Sequence, residues 1–74
     1  MSPARIGNHI RRLRFEHGEM TQGQLAEAIG MTRQTVAAIE QGKYSPSLDA
    51  AFRIADAFGR RLEDVFFRDG RGEA

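Results

Sequence analysis

Apolar positions recur at helical spacing in five places along the chain, and the residues between them stop one helix and start the next. Ile6, Ile10 and Leu13 fall at i, i+4 and i+7, the stripe of a first helix over about residues 6–17 that Gly18 ends. Residues 21–41 hold two starts and one stop. Thr21, followed three residues later by Gln24, is a capping box in which hydroxyl and carboxamide each satisfy an orphan backbone donor, so a second helix begins at about Gln22. Met20 just before that cap suits a hydrophobic staple onto Leu25, and Leu25, Ala26 and Ile29 form the inward face. Gly30 supplies the left-handed backbone that a helix C-terminus needs and that a residue with a β-carbon adopts only at a cost. Thr32 caps a third helix, turned inward at Val36 and Ile39 and uninterrupted by proline or glycine through Gln41. Ala26 has to be small, because two helices cross steeply over this turn.

Beyond Tyr44 the pattern restarts. Pro46 ends a loop, Ser47 caps a fourth helix running to about Phe58, and Asp49 in its first turn complements the helix dipole. Leu48, Ala51, Phe52, Ala55 and Phe58 make its main stripe, while Ala50, Ile54 and Ala57 put apolar surface on other sides and call for two packing partners. Gly59 ends it, and Leu62, Val65 and Phe66 give a short fifth helix. Phe67 is left over. It either caps the core or, with Phe66, enters a two-fold interface.

Five short helices in 74 residues predict an all-α fold: one compact domain over residues 1–74, with its core at about 5–67 and a polar tail at 68–74. The chain has no cysteine, so neither a disulfide framework nor a thiolate zinc site is available to stiffen it. No stretch approaches the roughly 20 apolar residues of a membrane span, and the N-terminus lacks the apolar core of a signal peptide. A cytoplasmic protein with no membrane partner is expected. His9 and His17 lie too far apart for an i, i+4 metal pair, and the carboxylates have no matched spacing. The expectation is therefore no catalytic residue, no metal, no cofactor and no small-molecule ligand.

Charge sharpens the picture by its placement. The net charge of +1 is a weak footprint for a nucleic-acid partner. Between Thr21 and Ser45, however, only Glu27 and Glu40 are acidic, and Glu40 is expected to face inward, leaving Arg33 and Lys43 outward. The outer face of the third helix is Arg33, Gln34, Ala37 and Ala38. Two long hydrogen-bonding heads stand at its N-terminal end and two short alanines at its middle permit close approach. Arginine can read guanine O6 and N7, and glutamine adenine N6 and N7, in the DNA major groove. The amides at the start of the second helix, around Gln22, are a ready anion site suited to a phosphate oxygen. Lys43 would add a charged contact to the same strand; Tyr44 would either add a phenolic donor or pack beside Pro46.

These residues resemble the Cro and phage-repressor type of helix-turn-helix domain, the XRE family. The resemblance covers roughly residues 5–67 and is carried by Leu13–Arg14, by MTQGQLAEAIGMTRQTVAAIEQGKYSPS from Met20 to Ser47, and by LDAAFRIADAFGRRLEDVF from Leu48 to Phe66. It implies a lambda-repressor-like five-helix bundle that docks its third helix in the major groove. Position by position, it implies base reading by Arg33, Gln34, Ala37 and Ala38. Backbone contacts are implied for Gln22, Thr32, Thr35, Gln41, Lys43 and Tyr44, and a structural ion pair for Arg14 and Glu40. Glu19 stands as one residue more than the commonest members carry in the connector, and Arg60 and Arg61 occupy the place of a capping serine.

The function so expected is sequence-specific binding of double-stranded DNA by a transcriptional regulator. One helix-turn-helix reads a half-site, so a homodimer on a palindromic operator is expected, with half-site centres about 34 Å apart. The alternative is a protein-interaction module, such as an antitoxin or antirepressor partner built on the same fold. RNA binding lacks the aromatic platform that stacks unpaired bases.

Overall fold

A computed structural model describes residues 5–69. In chain order they form strand β1 (Arg5–Asn8), helices α1 (Ile10–Glu16), α2 (Gln22–Ile29), α3 (Arg33–Glu40), α4 (Leu48–Phe58) and α5 (Leu62–Val65), and strand β2 (Phe66–Asp69). The five helices stand where the apolar periodicity places them. Their core gathers Ile10 and Leu13 of α1, Leu25, Ala26 and Ile29 of α2, Val36 and Ile39 of α3, Ile54, Ala55 and Phe58 of α4, and Val65 of α5. Met20 and Met31, flanking α2, close its edges.

The two strands modify the all-α expectation at its ends. β1 and β2 pair antiparallel, with Ile6 opposite Arg68, Gly7 opposite Phe67 and Asn8 opposite Phe66. The first helix therefore starts at Ile10 rather than near Ile6, and Ile6 is 45% exposed instead of joining the buried stripe. Two local causes act together. The Asn8 side chain accepts a hydrogen bond from the Ile10 amide at 3.1 Å, so the chain turns into the helix there. The Phe67 ring also lies against Gly7 so closely that a β-carbon at position 7 would overlap it. Phe66, read as the last residue of the fifth helix, instead opens β2, while still packing half-buried on the core.

α4 is rotated relative to its expected stripe. Ala50, Ala51, Ile54, Ala55 and Phe58 are buried, whereas Leu48 and Phe52 are 67% and 49% exposed. At 100° per residue the buried set forms one contiguous arc, and its alanines let neighbouring helices approach closely. The edge carrying Arg53 meets α2, where the Arg53 guanidinium donates to the Ile29 carbonyl at 3.2 Å. Leu48 and Phe52 lie toward the opposite edge. Before α5, the Asp64 carboxylate reaches back to accept from the Arg61 amide at 3.2 Å, and the Asp64 amide, which a capping serine would serve, bonds the Arg61 carbonyl at 3.0 Å instead.

Candidate nucleic-acid interface

Local chemistry sets the α2–α3 unit. The capping box is formed in both directions: the Gln24 amide donates to Thr21 Oγ1 at 3.0 Å, and the Thr21 amide donates to Gln24 Oε1 at 2.9 Å. At the other end of α2, Gly30 has φ 75°, and the Met31 amide closes on the Ala26 carbonyl at 2.9 Å. α3 begins one residue beyond Thr32, whose hydroxyl accepts from the Thr35 amide at 3.1 Å and lies 3.0 Å from the Thr35 hydroxyl. Ala26, at the crossing of the two helices, is buried.

α3 ends with the same logic. The Gly42 amide bonds the Ile39 carbonyl and the Lys43 amide bonds the Ala38 carbonyl, each at 3.0 Å, with φ of 77° at Gly42. This doubly bonded Schellman end fixes the direction in which Lys43 leaves the helix. Asn8 adds a long-range tie: its side-chain amide donates to the Ile39 carbonyl at 3.0 Å and so holds the last turn of α3 to β1.

The strongest polar link in the domain stands behind this unit. Arg14 Nε donates to Glu40 Oε2 at 2.6 Å and Arg14 Nη2 to Glu40 Oε1 at 3.1 Å, a two-pronged pair whose side chains are only 11% and 8% exposed. Arg14 Nη1 donates to the Met20 carbonyl at 2.8 Å. One guanidinium thus joins α1, the connector into α2 and the end of α3. Glu40 faces inward, as the resemblance to the family implies.

The four residues expected to meet bases share the outer face of α3. Arg33 and Gln34 are exposed, and Ala37 and Ala38 are half-buried. The Arg33 stem crosses the first turn of α2, since a β-carbon on Gly23 would lie 3.9 Å from its Cδ. Of the residues expected to meet the DNA backbone, Gln41, Lys43 and Tyr44 are exposed around the end of α3, and Thr32 is exposed at its start. Thr35 is half-buried with its hydroxyl turned to Thr32. Tyr44, 52% exposed, also lines a narrow crevice with Ile6, Pro46 and Phe66. Gln22 stands half-buried in the first turn of α2, and its side-chain nitrogen donates to Glu40 Oε1 at 3.3 Å.

Phe67 neither enters the core nor stands free: it stacks on His9 with ring centroids 4.7 Å apart and remains 40% exposed. His17 meets Phe58 edge-on at 5.3 Å. Both histidines thus serve packing, and among the described residues no three His, Cys, Asp or Glu side chains come together as a metal site would need. Among those residues, too, no helix is long and apolar enough to cross a membrane.

Asn8, Gly42 and the bond from Gln22 to Glu40 are the parts of this surface that sequence reasoning missed. Gly42 carries a usable signal, a glycine just past the end of a helix. The Asn8 bond to Ile39 carries none, because that partner is remote in the chain.

Comparison with known proteins agrees with this geometry. A helix-turn-helix family model matches residues 10–65. The chain is 55% identical over 64 residues to an uncharacterised HTH-type transcriptional regulator of Methanothermobacter thermautotrophicus, covering 85% of this chain and 91% of that one. It is 50% identical over 60 residues to the uncharacterised HTH-type transcriptional regulator YgzD of Bacillus subtilis, covering 81% and 89%. An immunity repressor protein of Bacillus phage phi105 is 39% identical over 60 residues, which make up 81% of this chain and 41% of the repressor. In fold, the chain is similar to a crystal structure of a putative DNA-binding protein from Bacteroides fragilis, with a TM-score of 0.73, 24% identity and coverage of 84% and 98%. The chain belongs to the XRE-type helix-turn-helix family of DNA-binding transcriptional regulators.

Proposed function

We propose that this regulator binds specific sequences in double-stranded DNA by laying α3 along the major groove, and that two copies bind a palindromic operator. The observation that carries the reading is the outer face of α3, where exposed Arg33 and Gln34 precede the low surface of Ala37 and Ala38 on a helix anchored at both ends. Long heads at the start of a helix reach base edges, and alanines behind them let its backbone approach, with room for a thymine methyl. Arg33 is assigned to guanine and Gln34 to adenine.

Around this face, Gln22, Thr32, Thr35, Gln41, Lys43 and Tyr44 supply phosphate contacts, which set register without reading sequence. Only Lys43 among them carries a charge, so within this set it alone adds a counterion-release contribution to the salt dependence. Two long base-reading side chains per copy make a narrow reader. A two-fold dimer and the deformability of the DNA between half-sites supply the rest of the specificity. The exposed apolar side chains Leu48, Phe52 and Phe67, together with half-buried Phe66 next to Phe67 in β2, support self-association.

The test is selection of bound duplexes from random DNA, with sedimentation of the protein on the recovered sites. An inverted repeat with centres about 34 Å apart, bound by two copies, is expected. Recovery of unrelated sequences, or binding of one copy only, rejects the proposal.

A further inference from the structure

The cleft between α1, the first turn of α2 and the last turn of α3 is lined by Arg11, Arg14, Phe15, Gln22, Glu40 and Gln41. In it the Glu40 carboxylate accepts three hydrogen bonds, two from Arg14 and one from the Gln22 side-chain nitrogen at 3.3 Å. A carboxylate only accepts, so of the two faces a carboxamide can turn to it, only the nitrogen side fits. One of the two Gln22 N–H bonds is thereby occupied, and the planarity of the amide sets the direction of the other. Glu40 is itself held: Arg14 grips both of its oxygens and is pinned from behind by the Met20 carbonyl. Arg14 also neutralises it, so an anion approaching Gln22 meets a closed ion pair rather than a bare carboxylate.

We propose that Glu40 is a positioning residue for DNA binding, orienting the Gln22 carboxamide so that its remaining N–H is presented to a backbone phosphate oxygen. The proposal rests on Gln22 being a phosphate contact. It gives Glu40 a role distinct from its part in the fold, and one whose sign is unexpected. Simple electrostatics has the loss of a carboxylate near DNA tighten binding. Loss of an orienting partner weakens it.

The test is a double-mutant cycle in the full chain, using Glu40→Gln, Gln22→Ala and the pair, with dissociation constants measured below each variant's melting temperature. The probes are a duplex recovered by selection and a scrambled duplex of equal length. Glu40→Gln is expected to weaken binding about three- to ten-fold on both duplexes, the range of one hydrogen bond. In the Gln22→Ala background the same change is expected to cost nothing further. Losses that multiply, or tighter binding by Glu40→Gln, overturn the positioning role while leaving Gln22 as a contact. Unchanged binding by Gln22→Ala removes that contact itself, and the proposal with it. Should Glu40→Gln not fold, nitrogen relaxation on the unaltered protein decides. The Gln22 side-chain amide is expected to be nearly as ordered as rigid backbone, with an order parameter of about 0.8, and exposed Gln34 to fall below about 0.6. Equal disorder at the two positions overturns the proposal.

Discussion

Removing Glu40 tests the scaffold behind the recognition helix. In Glu40→Ala, Arg14 keeps its bond to the Met20 carbonyl but loses both bonds to the carboxylate, at a site where its side chain is 11% exposed. Truncating one member of a buried pair costs about 3 to 5 kcal/mol, because the other charge is left uncompensated. Arg14 lies at the edge of the cleft, where water can reach part of the guanidinium, so the lower end applies, about 3 kcal/mol. A domain of this size has on the order of 4 to 11 kcal/mol in all. At about 4 to 8 °C per kcal/mol, the melting temperature should fall by roughly 12 to 24 °C.

Calorimetry or a circular-dichroism melt reads the fall directly. The companion variant Arg14→Met/Glu40→Leu separates a stranded charge from lost packing. Replacing both charges by apolar groups should recover most of the loss, stopping about 1 kcal/mol short because the Met20 carbonyl also loses its donor. A single variant that melts within about 2 °C of the parent, or a double variant no better than the single, would refute this reasoning.

Three further substitutions probe separate parts of the surface. Arg33→Ala should cost about 1 to 3 kcal/mol of binding, with preference relaxed at one base pair of each half-site; a uniform loss across sequences in a competition assay would make Arg33 a phosphate contact. For Lys43→Ala, weaker binding to every duplex is expected, with the slope of log affinity against log salt shallower by about 0.9, and an unchanged slope takes Lys43 off the backbone. Glu19 holds φ at 57° directly after Gly18 at 73°, so Glu19→Gly should raise stability by up to about 1 kcal/mol by relieving a left-handed non-glycine residue; a lower melting temperature would count against strain there.

What could be read from the chain alone follows the range of the interaction. The two caps and the turn of the helix-turn-helix are set by partners a few residues apart, Thr21 with Gln24 and Thr32 with Thr35, so residue identity and spacing reveal them. The Arg14–Glu40 pair spans three elements and entered only through resemblance to a family. The β1–β2 pairing joins opposite ends of the described residues, and a four-residue strand such as RIGN carries too short a pattern to outweigh the helical spacing of Ile6 and Ile10. α4 was legible in extent and misread in rotation. Its alanines and large side chains give two overlapping apolar faces, and contact with α2 through Arg53 selects between them. The bond from Gln22 to Glu40 was hidden for the opposite reason, since each residue already had a sufficient role of its own.

The central claim, that Arg33 reads a guanine in the major groove from the start of α3, is tested most directly by replacing each guanine of a selected duplex in turn with 7-deazaguanine, which removes N7 and leaves base pairing intact. Binding by the unaltered protein is expected to weaken about five-fold or more at one guanine of each half-site, and Arg33→Ala to be indifferent to the same replacement. A duplex in which no guanine N7 matters to the unaltered protein, or one in which Arg33→Ala remains as sensitive, would contradict it.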